Sequence, residues 1–128
     1  MFEMYDILVV DDEPMIREGL KVALEMEGHK ALTACDGNEA IRIAEERKPH
    51  LIITDIIMPE SDGIEVITVV KEKNPKIKIL AISGGGRISA KDHLKIAKQL
   101  GASGVLAKPF STEELISEIN RLFEIEKN

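Results

Sequence analysis

The stretch ILVVDDEP (Ile7–Pro14) decides how this chain is read. Four apolar residues run straight into three acids, and the first two of those, Asp11 and Asp12, are adjacent. A run that is apolar at consecutive positions, rather than alternate ones, is the mark of a strand covered on both faces. A buried strand that ends on paired carboxylates must either put them in water or give them a cation.

Working outward, short apolar runs recur at YDILVV (5–10), KALTA (30–34), HLIIT (50–54), IKILAI (77–82) and GVLA (104–107). Between them the apolar residues take helical spacing. Ile16, Leu20, Ala23 and Leu24 form one stripe, which Gly28 is placed to stop. Asp36 with Glu39 reads as a capping box for the second helix, and Ser111 with Glu114 as one for the last. Ile64, Ile67 and Val70 continue the pattern in the third segment. Leu94, Ala97 and Leu100, closed by Gly101, make the fourth, and Leu115, Ile119, Leu122 and Phe123 the fifth. Strand and helix thus alternate five times. This predicts an α/β fold, a three-layer doubly wound (βα)5 sandwich on a parallel five-stranded sheet. The common flavodoxin-like order for it is 2-1-3-4-5. The charged tail EIEKN is expected simply to run out.

With 128 residues, 44% of them hydrophobic, and charges spread along the chain, we expect one folded domain over residues 1–128. The net charge of −6 argues against a nucleic-acid-binding surface. No apolar run approaches the roughly 18 residues needed to span a bilayer, and the start MFEMYD lacks the features of a signal peptide. The single cysteine, Cys35, has no internal disulfide partner, which favours a cytoplasmic home. It reads as a packed small residue rather than a nucleophile, having no basic neighbour in sequence. His29, His50 and His93 lack mutual metal spacing and read as structural or solvated.

Chemistry-bearing residues cluster at the strand carboxyl ends: Asp11 and Asp12 after the first strand, Asp55 after the third, Ser83 after the fourth and Lys108 after the fifth. Open α/β sheets bind ligands at that edge, where the strand order reverses. In the order 2-1-3-4-5 the first and third strands are neighbours, so Asp12 and Asp55 would face each other. Each residue alone has a plainer role. Asp12 before Glu13-Pro14 suits a helix cap, Ser83 a loop, and Lys108 a solvated surface. Convergence changes the balance, because two carboxylates 4 Å apart repel by about 4 kcal/mol at an effective dielectric of 20. A third worsens the cluster, and the usual remedies are protonation or a bound cation. All-oxygen ligation favours Mg²⁺ before Ca²⁺.

The pair DD after the first strand, DIIMPESDG after the third, Ser83 after the fourth and KPF after the fifth resemble the receiver domain of bacterial two-component response regulators, from Asp6 to Phe123. The resemblance implies that Asp55 accepts a phosphoryl group from a phosphohistidine on a sensor histidine kinase or phosphotransfer protein. It implies Mg²⁺ held by Asp12, Asp55 and the backbone carbonyl of Ile57, with Asp11 acting mostly through water. Lys108 and the Ser83 hydroxyl would each take a phosphoryl oxygen, and Pro109 would follow a cis peptide that aims Lys108 into the site. Asp62-Gly63 would close the loop behind the site and start the third helix. The downstream partner would be an output protein or a removed output domain. Homodimerisation would use the surface of the fourth helix, fifth strand and fifth helix.

Several positions depart from the family pattern. Val105 stands where an inward-moving aromatic is common, and Gly84-Gly85-Gly86 make the loop after Ser83 unusually glycine-rich. These predict a switch that orders this loop instead of swinging a ring. Ile57 and Gly85 cannot orient an attacking water, which predicts a long-lived phospho-form. Two other classes share the architecture. A Mg²⁺-dependent phosphatase of haloacid-dehalogenase type would need an Asp-x-Asp at one strand end, and Ile57 and Glu13 stand where its second Asp would be. A flavin protein fits poorly with 3% aromatics and an acidic first loop. A docking module that is never phosphorylated stays open.

Overall fold

The structure, a computed structural model, describes residues 4–56, 63–83 and 90–127. Strands and helices alternate as β1 (Asp6–Val10), α1 (Pro14–Met26), β2 (Lys30–Ala34), α2 (Gly37–Arg47), β3 (Leu51–Asp55), α3 (Gly63–Lys73), β4 (Lys78–Ser83), α4 (Ala90–Gln99), β5 (Gly104–Ala107) and α5 (Thr112–Lys127). The five strands form one parallel sheet in the order β2-β1-β3-β4-β5. The expected fold class and strand order are those found.

The consecutive apolar runs have a direct physical cause. Side chains alternate across a strand, and each face of this sheet meets helices. Leu8, Val10, Ile52, Ile79 and Ala81 pack with residues of α2, α3 and α4, including Ala44, Val66, Ile67 and Ala97. Ile7, Val9, Ile53, Leu80 and Ile82 pack with Leu24 of α1 and with Leu115, Ile119, Leu122 and Phe123 of α5. Every residue of β3 is buried, whereas the edge strands β2 and β5 are only partly so. Each fully buried Leu or Ile contributes about 2 kcal/mol relative to exposure, so the central strands are anchored from both sides.

Helix ends follow the sequence signals closely. After α1, Gly28 takes φ +91°, its N–H donating to Glu25 O (3.0 Å) while His29 N–H donates to Leu24 O (3.0 Å). Gly101, at φ +110°, closes α4 through the same pair of bonds, Gly101 N to Lys98 O (3.2 Å) and Ala102 N to Ala97 O (3.0 Å). At α5 the capping box is reciprocal: Glu114 N–H donates to Ser111 Oγ (3.1 Å) and Ser111 N–H to Glu114 Oε1 (3.3 Å). At α2 Asp36 accepts from Glu39 N (2.8 Å), but the Glu39 carboxylate reaches one residue further, to Cys35 N (3.3 Å). Ser111→Ala should cost about 1 kcal/mol in urea unfolding; an unchanged midpoint would mean that the box adds nothing.

Several expectations shift. Asp55 and Ser83 lie inside their strands as the last residues, because the β3–β4 ladder continues to Asp55 opposite Ile82 and on to Ile56 N–H donating to Ile82 O (2.9 Å). The charged tail is helical nearly to its end, α5 continuing to Lys127. Of the first stripe only Leu24 is fully buried, and Leu100 is exposed. Among the described residues no helix is long and apolar enough to cross a membrane.

Candidate functional site

The site is built at the carboxyl edge of the sheet. Asp11 follows β1 directly and stays in the ladder through its N–H to Ala34 O (3.2 Å), so the residue is only 3% exposed. Asp55 ends the neighbouring strand β3 and is 8% exposed. One carboxylate oxygen from each of Asp11, Asp12 and Asp55 lies within 4.8 Å of the others. Lys108, just past β5, reaches across with Nζ 2.9 Å from Asp55 Oδ2 and 3.8 Å from Asp11 Oδ2. Its backbone N–H donates to Ser83 O (2.7 Å), and the Lys108–Pro109 peptide is cis. Ser83 is fully buried at the end of β4, beside Ile82, the register partner of Asp55.

The Lys108 ammonium therefore meets two of the three clustered carboxylates, Asp55 and Asp11. Burial is the largest influence on Asp11 and raises its pKa, with the charges of Asp55 and Asp12 adding to it; the Glu13 N–H and Lys108 only partly counter this. The Glu13 N–H bond is to Asp11 Oδ1, at 2.9 Å. At Lys108, burial works against the charged form, but the hydrogen bond and charge of Asp55, followed by the charges of Asp11 and Glu13, outweigh it and raise the ammonium's pKa. Between the unfolded and folded values the native state binds the Asp11 proton and the unfolded chain does not. Without metal, stability from this group is present at acid pH and is lost as pH rises through the raised folded value. Urea midpoints in metal-free buffer should show that decline, and Asp11→Asn should flatten it.

The plainer reading of Asp12 as a helix cap does not hold. The cap position of α1 is Glu13, which makes no side-chain capping bond, with Pro14 at the first turn. Two contacts have no signal in the sequence. Arg17, one turn into α1, donates from Nη1 to Asp11 O (2.8 Å) and pins the strand end. Thr54 Oγ1 donates to Asp55 O (3.0 Å) from a fully buried position.

Gly63 opens α3, and its N–H donates to Ile56 O (2.9 Å). A Cβ there would stand 2.1 Å from Asp55 O and 2.7 Å from Ile56 Cα, so only glycine lets α3 start against the end of β3. Val105 is half-buried on β5 opposite Ala81, and Pro109 is exposed. Ile57, Asp62, Gly84, Gly85 and Gly86 lie outside the described residues, so the expected ordering of the glycine loop falls there too.

Cys35 departs from expectation. It is exposed rather than packed, because β2 is an edge strand whose end meets solvent. Its thiol donates to Glu39 Oε2 (2.9 Å), and that hydrogen bond, with some desolvation and the nearby acids, pushes its pKa up. Of the histidines, His29 is buried and accepts from Tyr5 N at Nδ1 (3.2 Å), and His50 Nδ1 accepts from Asp6 N (3.0 Å). Both brace the start of β1, where Tyr5 stacks on Phe123 with ring centroids 3.6 Å apart.

Comparison with known proteins agrees with this arrangement. The family described as response regulator receiver domain matches residues 7–120. The alkaline phosphatase synthesis transcriptional regulatory protein PhoP of Bacillus subtilis is 37% identical over 119 residues, covering 91% of this chain and 47% of that protein. Thus the chain spans about half the length of this curated relative. The receiver domain of NtrX from Brucella abortus superposes with a TM-score of 0.86 at 35% identity, covering 93% of this chain and 98% of that one. Vibrio cholerae CheY4, a chemotaxis response regulator, does so with a TM-score of 0.82 at 31% identity, covering 94% and 99%. Sheet order, strand-end acids and matched length together place this chain in the response regulator receiver domain family of two-component systems.

Proposed function

We propose that the chain is a phosphorylation-dependent signalling switch, one receiver domain over residues 1–128, in which Asp55 takes a phosphoryl group from a partner's phosphohistidine. The observation that carries this is the meeting of three strand-end carboxylates within 4.8 Å, with Lys108 as the facing ammonium. The donor set fits Mg²⁺: hard oxygens only, too many negative charges for one lysine, and Asp11 already disfavoured as a carboxylate. Asp12, Asp55 and the Ile57 carbonyl would hold the ion, with Asp11 mostly through water. Bound there, it would neutralise phosphoryl charge and keep the carboxylates ionised.

The chain's own residues do the rest. An Asp55 carboxylate oxygen attacks phosphorus, forming the O–P bond as the P–N bond to the partner's imidazole breaks, and the electron pair leaves with that nitrogen. Lys108, held 2.9 Å from Asp55, exchanges its carboxylate contact for a phosphoryl oxygen. The Ser83 hydroxyl takes another. Because phosphoryl transfer is chiefly positioning and charge neutralisation, this small set suffices. The partner also needs a seat. An apolar groove of about 430 Å³ between α1 and the β5–α5 connection, lined by Ile16, Gly19, Leu20, Ala23 and Phe110, opens beside Lys108. On the same helix Met15 and Met26 are 88% and 83% exposed. This face suits the helices of a histidine kinase or phosphotransfer protein. The signal then passes to an output protein or output domain, through the surface of α4, β5 and α5. This is a cytoplasmic signalling role rather than a metabolic one.

Beryllium fluoride with Mg²⁺ mimics an aspartyl phosphate. It should shift the amide resonances of Asp55, Ser83 and Lys108 saturably, and not in Asp55→Asn. Absence of those shifts in the wild type would contradict the reading.

A further inference from the structure

A second cleft, of about 420 Å³, lies at the opposite edge of the sheet, between the α2–β3 and α3–β4 connections. Lys48 and His50 enter it from the first connection, and Lys73 and Lys76 from the end of α3 and the second. None of its lining residues is acidic, in a chain whose net charge is −6. A concave site lined by one sign of charge concentrates potential and draws in counter-charged ligands. Lys73 does meet Glu45, at 3.1 Å, but both side chains are more than half exposed and the pair is well screened.

The cleft is held open by its backbone. Lys78 N–H donates to His50 O (3.1 Å), tying the two connections together. Lys71 Nζ clamps the second one, donating to Ile77 O (2.7 Å) and Pro75 O (3.3 Å). Lys48 takes the left-handed conformation at φ +46° before the buried Pro49. Since His50 Nδ1 accepts from Asp6 N–H, the neutral ring carries its proton on Nε2, a further donor.

We propose that this cleft binds a small phosphate-bearing molecule, its phosphate held by Lys48, Lys73 and Lys76 and its carbon skeleton against Pro49 and Pro75. Three ammonium groups without a fixed bidentate fork suit the spread charge of a phosphate better than a single carboxylate. The volume falls within the range of small-ligand sites. The five residues of β3 put about 17 Å between this cleft and Asp55, so the two sites are distinct.

The test is a titration of ¹⁵N-labelled protein, in metal-free buffer at constant ionic strength, with inorganic phosphate, pyrophosphate and adenosine monophosphate. Amides of Lys48, His50, Asn74 and Lys76 should shift saturably, and Lys48→Gln with Lys76→Gln should weaken binding about tenfold or more. Adenosine monophosphate should bind more tightly than inorganic phosphate. Shifts that never saturate, that persist in the double variant, or that a matched chloride addition reproduces would overturn the site. Equal binding of the monophosphate and inorganic phosphate would overturn the seat for a carbon skeleton.

Discussion

Lys108→Met should destabilise the protein by about 2 kcal/mol in metal-free buffer and lose most of that penalty when Mg²⁺ is added. The ammonium lies 2.9 Å from Asp55 Oδ2 and 3.8 Å from Asp11 Oδ2, and its removal takes a positive charge from a cluster of three carboxylates. Breaking a buried pair costs about 3–5 kcal/mol, but the Lys108 side chain is 24% exposed and water recovers part of it. Phosphoryl acceptance should fall about a hundredfold even with Mg²⁺ present, since the metal replaces the charge but not its position. Urea unfolding with and without Mg²⁺ measures the first effect, and labelling rates the second. Equal loss of stability in both buffers would mean that metal and lysine do not share the acid cluster.

Gly63→Ala should have the largest effect on stability, about 3 kcal/mol or more. The new Cβ would meet backbone, Asp55 O at 2.1 Å and Ile56 Cα at 2.7 Å, and backbone cannot rotate away as a side chain can. Either α3 or the end of β3 must move, and the second carries Asp55 with it. Gly19→Ala is the contrast. Gly19 lies within α1 with nothing within 4 Å of the position a Cβ would take, so that change should stabilise by about 0.5–1 kcal/mol. Opposite signs for the two glycines would separate close approach from helix propensity; a neutral Gly63→Ala would contradict the packing of α3 on β3.

Much of this was legible in the chain because it rests on local rules. Consecutive apolar residues in β1, β3 and β4 marked strands covered on both faces, and the two core layers explain why alternation is absent. Gly28 and Gly101 marked helix ends because each takes a positive φ. Strand order alone brought Asp12 and Asp55 face to face and put Asp11, Ser83 and Lys108 at the same edge of the sheet. What stayed hidden depends on juxtaposition across the fold. Nothing in the order of residues says that Arg17 reaches back to Asp11 O, or that Lys48 and Lys76 share a cleft. The exposure of Cys35 follows from β2 being an edge strand, and the role of His50 from where β1 begins.

The most direct test of Asp55 as a metal-dependent phosphoacceptor is the intact mass of the protein after incubation with acetyl phosphate and Mg²⁺, for wild type and Asp55→Asn. The wild type should gain a single phosphoryl group, absent without Mg²⁺ and absent in the variant. An unmodified wild type at every donor concentration, or equal modification of Asp55→Asn, would contradict that role.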